Sequence, residues 1–191
     1  MPNLLLVDYL QRSRAQYGLL NVPVAYTAED TARVSGIAPR RFAKVVMVHI
    51  DSELAMVVMP AHYHLAPLAL RDELKAQRVT LATERDFQRQ FPRCELGAIP
   101  PFGHLYGLRA LLIDVFEGFG DIYCKAGSHD EILCMPFCEF RRLAHLDPIK
   151  RGASLRLRDP MHSHLQRLLG FARQHALPTR APLLLRAPLT R

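Results

Sequence analysis

FAKVVMVHIDSELAMVVMP, residues 42–60, holds two apolar runs, 42–50 and 54–60, either side of the short polar Asp51-Ser52-Glu53. Runs of this length, rich in valine and bounded by polar residues, read as strands, and two so close together read as a hairpin. The one charge inside the first run is Lys44. Burial disfavours an ammonium, so a lysine there either snorkels outward or meets an anion. Taken alone, a lysine on the wet face of an edge strand is the commoner case.

Upstream, residues 3–18 place Leu4, Leu5, Tyr9, Leu10 and Tyr17 at roughly helical spacing, and Asn21-Val22-Pro23 ends that helix. Val24-Ala25-Tyr26 reads as a short strand. Thr27 then caps a helix over 28–35, with Asp30 three residues on and Gly36 closing it. Downstream, Pro67 opens a helix to about Gln77, 79–82 is a strand, and Thr83 caps a helix through Phe91. Residues 109–115, 121–125 and 131–135 read as strands, and Pro136 opens a helix over 137–145. Strands and helices mix without βαβ alternation, so the fold class is α/β with a mixed sheet and not a doubly wound one.

The charge is uneven. Residues 1–148 hold 16 Lys+Arg against 17 Asp+Glu, whereas 149–191 hold 9 Lys+Arg against Asp159 alone. The sequence therefore divides into a domain over 1–148 and a basic extension over 149–191. The extension has an amphipathic helix expected at 160–177 and a proline-rich, flexible end. A basic segment on a neutral body suits a polyanionic partner such as RNA, or else is merely solvated. No apolar run approaches the roughly 20 residues that cross a bilayer. The short apolar patch at the N-terminus meets Asp8 at once, which does not suit a secretory signal. A cytoplasmic monomer is expected. Cys94, Cys124, Cys134 and Cys138 form no CxxC pair and are expected to be free, the last two as core thiols. His62-x-His64 and His162-x-His164 lack acidic or thiol partners nearby, so no metal is expected.

Two further segments can carry chemistry. The loop GAIPPFG, 97–103, has Gly97 and Gly103 for unusual backbone angles and Pro100 and Pro101 for stiffness. Such a loop can aim backbone N–H groups at a developing oxyanion, or can simply be a crossover. The turn Ala126-Gly127-Ser128-His129 offers a histidine for binding or proton transfer, although a turn histidine without a role is commoner.

Six segments in order resemble the YbaK/EbsC family, the prolyl-tRNA synthetase-associated editing domain, from about residue 3 to 146. They are Tyr26 to Asp30, Arg41 to Val46, Met56 to Ala61, Leu81 to Glu84, Gly97 to Gly103, and Ala126 to His129 followed by the 137–143 helix. The chain departs from the family at Asn21-Val22-Pro23, where a histidine often precedes the proline. The resemblance implies a partly rolled mixed sheet surrounded by helices. It also implies hydrolysis of the ester of mischarged aminoacyl-tRNA, with no metal or cofactor. By the same resemblance Lys44, Gly97 and Pro101 are the catalytic positions. Ala98, Ile99, Pro100, Phe102, Gly103, Gly127, Ser128, His129 and Met47 are the substrate-binding ones. The partners implied are aminoacyl-tRNA charged with a small residue (Ala, Ser or Cys type) and a synthetase. The runner-up is a module that holds a tRNA end or a synthetase without hydrolysis.

Overall fold

Residues 42–60 do form the central hairpin of the computed structural model, which describes residues 3–113, 115–116 and 120–155. The elements run α1 (Leu4–Arg12), β1 (Gly18–Asn21), α2 (Ala28–Val34), β2 (Phe42–Ile50), β3 (Glu53–Pro60), β4 (Tyr63–Leu65), α3 (Pro67–Leu74) and β5 (Val79–Leu81). They continue with α4 (Glu84–Phe87), β6 (Arg109–Ile113), β7 (Asp121–Lys125), β8 (Glu131–Pro136), α5 (Phe137–Ala144), β9 (Asp147–Ile149) and β10 (Ala153–Leu155). Short 3-10 turns occupy Pro39–Arg41, Gln88–Gln90 and Gly103–Tyr106.

The main sheet is ordered β1-β8-β7-β2-β3-β6-β9, with β5 pairing separately to β2. It is mixed: β2–β7, β3–β6 and β6–β9 are parallel, while β2–β3, β2–β5, β7–β8 and β1–β8 are antiparallel. β10 and β4 form a separate antiparallel pair. The alternation of the strands sorts their side chains onto two faces. Ala43, Met47, Met56, Val58, Ala110 and Leu112 pack on one face with Leu6, Leu10, Phe102 and Phe140. Val48, Ile50, Val57, Met59, Leu111 and Ile113 pack on the other with Leu70 of α3. A smaller cluster of Ala32, Phe42, Ala61 and Ile132 lies beneath α2.

Several local expectations are corrected. The strand expected at 24–26 is absent, and Val24 and Tyr26 are exposed. The strand lies earlier, at Gly18–Asn21, where it pairs with β8. The first helix stops at Arg12. α3 ends at Leu74, because Lys75 adopts a left-handed φ of 53°. The helix after Thr83 shortens to one turn and passes into a 3-10 turn. Cys138 is exposed, since α5 turns Phe140, Leu143 and Ala144 inward and leaves Cys138 outside. β9 straddles residue 148 and β10 follows it, so regular structure runs on to Leu155. The helix expected at 160–177 and the tail after it lie outside the described residues.

Candidate active site beside strand β2

Strand β2 pairs with β3 from Ala43 to Ile50, but its other edge is shared. β7 pairs with Phe42 and Ala43, and β5 pairs with Val48, His49 and Ile50. Among the described residues no strand borders that edge over residues 44–47. The Met47 carbonyl accepts from Ala82 N–H there at 3.0 Å, on the side away from β3. Backbone groups two residues apart on a strand point the same way, so Val45 N–H and C=O face this gap.

Two adjoining cavities fill it. One of about 100 Å3 is lined by Ala28, Ala43, Lys44, Val45, Gly97, Ile99 and Lys125. A neighbour of about 250 Å3 shares Val45, Gly97 and Ile99 and adds Met47, Leu81, Ala82 and Phe87. Lys44, half-buried, donates from Nζ to Ala61 O at 2.8 Å. Lys125 is buried and donates from Nζ to Ala25 O and His129 O, each at 2.8 Å. Its burial pulls the amine down to about 8, against the opposing pull of the Glu95 and Asp130 carboxylates.

The facing wall is the loop expected from sequence. Gly97 has φ of 82°, a left-handed angle that suits glycine. Its missing Cβ would stand 3.5 Å from His129 Cε1. Ala98 N–H is taken by Glu95 O at 2.9 Å and Phe102 N–H by Pro100 O at 2.8 Å. Prolines have no N–H. Among the described residues the N–H groups of Gly97 and Ile99 are thus the loop's free donors beside the cavities.

The remainder of the loop lines neither cavity. Ala98, Pro100, Pro101, Phe102 and Gly103 are buried. Phe102 packs against Tyr9 and Phe140, with ring centroids 6.3 and 5.9 Å away. The turn after β7 also holds the wall in place. Gly127 has φ of 118°, and a Cβ there would come within 2.9 Å of Asn3 Cβ. Gly127 O accepts from Glu95 N–H at 2.8 Å. The buried Ser128 hydroxyl donates to Asp130 Oδ1 at 2.6 Å, which lowers the Asp130 carboxyl. His129 lines a separate hollow of about 270 Å3 with Val24, Tyr26, Glu95 and Asp130. Its Nε2 lies 2.9 Å from Leu96 O. A carbonyl only accepts, so Nε2 carries the proton in this contact. Its backbone N–H donates to Glu95 Oε2 at 2.6 Å.

A profile described as the aminoacyl-tRNA editing domain matches residues 22–143, most of the chain and all of this site. The chain belongs to the aminoacyl-tRNA editing domain family. Solved structures with the same fold include the hypothetical protein APE2540, at 14% identity and TM-score 0.69, over 78% of this chain and 99% of that one. Another is described as a candidate trans-editing enzyme for prolyl tRNA synthetase, at 15% identity and TM-score 0.68, over 78% and 94%. A third, a candidate signal transduction protein from Marinobacter aquaeolei VT8, matches at 16% identity and TM-score 0.62, over 96% of this chain and 38% of its own. No curated protein matches the chain.

In this editing domain Lys44, Met47, Gly97 and Ile99 come together at the gap, whereas His129 faces the neighbouring hollow. Sequence reading missed Lys125, along with Ala28 and Val45. The signal for Lys125 was present but weak: a lysine ending the strand Asp121–Lys125, directly before the turn that holds His129. Among the described residues no three His, Cys, Asp or Glu side chains cluster to hold a metal ion. No helix among them is long and apolar enough to cross a membrane.

Proposed function

We propose that the chain is a trans-editing aminoacyl-tRNA deacylase that hydrolyses the ester of tRNA mischarged with a small amino acid. The observation that carries this reading is the gap beside β2, with Lys44 on one wall and the free N–H groups of Gly97 and Ile99 on the other. Lys44 anchors the polar end of the terminal nucleotide. The two N–H groups receive the negative charge that develops on the ester oxygen, the kind of stabilisation that accelerates acyl transfer without a nucleophilic side chain. Pro100 and Pro101 hold the loop's path. The cavity of about 100 Å3 has room for roughly three waters. That volume suits an alanyl-, seryl- or cysteinyl-sized group. A second sieve of this kind answers a real need, because one methylene in an apolar pocket is worth only about 1–3 kcal/mol.

The basic C-terminal segment fits the same substrate. Arg156, Arg158, Arg167, Arg173, Arg180, Arg186 and Arg191 stand against Asp159 alone and would contact the tRNA backbone. Removing residues 156–191 is expected to flatten the salt dependence of tRNA binding; an unchanged slope would detach the tail from the substrate.

The decisive experiment is deacylation of a panel of alanyl-, seryl- and cysteinyl-tRNAs by the wild type and by Lys44→Ala. Hydrolysis of one species, lost in Lys44→Ala, is expected. Binding of tRNA with no hydrolysis of any species would replace the deacylase with a holding module.

A further inference from the structure

Lys125 is the buried ionisable group at the site to which no role has yet been given. A lysine nitrogen has four positions. One is Cε, and two point to Ala25 O and His129 O at 2.8 Å. The fourth carries a third N–H when the group is charged and a lone pair when it is neutral. Lys125 also lines the 100 Å3 cavity with Lys44, Gly97 and Ile99, and the fourth position is the one left to serve it. The two carbonyls hold the nitrogen still, so a base at this point needs no reorganisation before reaction.

Resting on the deacylase reading, we infer that Lys125 is the general base that takes a proton from the hydrolytic water. The water oxygen attacks the ester carbonyl carbon while its proton passes to the Nζ lone pair. The carbonyl π electrons move to the oxygen held by Gly97 and Ile99 N–H. The tetrahedral intermediate then collapses and breaks the bond to the ribose oxygen, and the Lys125 ammonium returns the proton to that oxygen. The products are a free amino acid and a tRNA with its terminal hydroxyl restored.

The surroundings suit an amine that exchanges protons near neutrality. Burial favours the neutral form and holds the group near 8. Glu95 and Asp130 favour the charged form. Lys44 lines the same cavity. Glu131 lies on the adjacent strand, Glu29 beside the cavity-lining Ala28, and the Tyr26 and His129 rings pack at 4.8 Å by the neighbouring hollow. A base acts best when its proton affinity lies near the working pH, and buried lysines reach that range.

Lys125→Arg separates base from tie. Arginine keeps the charge and can still donate to both carbonyls, but it does not give up a proton. Single-turnover deacylation is measured from pH 6 to 9.5 for the wild type and Lys125→Arg. The wild-type rate is expected to rise about tenfold per pH unit and level off near 8. In Lys125→Arg it is expected to fall by roughly 10²–10⁴-fold and to lose that limb, with KM nearly unchanged. A variant that keeps the limb, or loses only in KM, overturns the inference while leaving the deacylase standing. No turnover by the wild type on any mischarged tRNA overturns both. A second measurement needs no substrate. The lysines are Lys44, Lys75, Lys125 and Lys150, few enough to follow by 13Cε labelling. A resonance absent from Lys125→Arg and titrating near 8 supports the base; one titrating in the ordinary lysine range overturns it.

Discussion

The two walls of the cavity beside β2 are built by opposite means. The β2 wall is one strand, locked to β3 by eight consecutive register pairs from Ala43–Pro60 to Ile50–Glu53. The facing wall is a loop and a turn, stapled by single bonds: Glu95 N–H to Gly127 O, His129 to Leu96 O and to the Glu95 carboxylate, and Lys125 to Ala25 O and His129 O. A side chain on the ladder can be changed without moving its backbone. On the stapled wall nearly every side chain also holds the wall up. Chemistry and stability should therefore separate on β2 and travel together on the loop.

Lys44→Ala should show the separation most clearly. Its deacylation rate is expected to drop on the order of 10²–10³-fold, while its melting midpoint stays within a few degrees of the wild type, as differential scanning calorimetry would record. A large fall in the midpoint would place Lys44 among the staples.

Lys125→Met probes the facing wall through pH. Below about 8 both the folded and the unfolded chain carry the Lys125 proton, and the fold bears the full penalty of a buried charge. Between there and the ordinary lysine range the folded chain has released a proton that the unfolded chain still holds, so stability rises with pH. Lys125→Met lacks that limb. The stability of the wild type minus that of the variant, from urea melts, should rise with pH by at most about 3 kcal/mol. A difference that is flat across this window would mean the amine is not held in its neutral form.

Gly97→Ala puts a side chain at a φ of 82°. It should cost roughly 1–2 kcal/mol of stability and slow deacylation together with it, since the Gly97 N–H moves with the strained backbone. Full activity in a destabilised variant would separate the two on the wrong wall. The smallest effect is expected from His129→Ala, which removes one staple at the exposed edge: about 1 kcal/mol of stability and a rate change of a few fold. A hundredfold loss of kcat with an unchanged fold would instead place the ring in the chemistry.

The same contrast governs what could be read from the sequence. The ladder wall was legible because its signal is local: apolar runs on both sides of a short polar turn, with one lysine out of pattern. Half of the loop was legible too, through Gly97 and the paired prolines. The rest depends on contacts made far along the chain. Phe102 stands in a glycine- and proline-rich segment but is fully buried against Tyr9 and Phe140. Lys125 ends an ordinary strand, and its carbonyl partner Ala25 is a hundred residues away. β1 is four residues whose only strand partner among the described residues is β8, while exposed Val24 and Tyr26 mimic a strand nearby. β9 and β10 have three residues each, too few for a period to register.

The edge of β2 stays open because β5 stops. One more antiparallel pair beyond Val48–Leu81 is already begun by Ala82 N–H on Met47 O, and continuing the register would bring Glu84 opposite Val45 and zip the aperture shut. The chain turns away instead at Thr83, whose backbone N–H and hydroxyl are both claimed by the Asp86 carboxylate at 2.7 and 2.9 Å. His49 on β2 reaches the same carboxylate at 3.3 Å. A helix cap of four residues is thus the doorstop of the cavity. The width of the opening is written in the length of β5, and a change at Thr83 or Asp86 would alter access to the site without touching any residue that lines it.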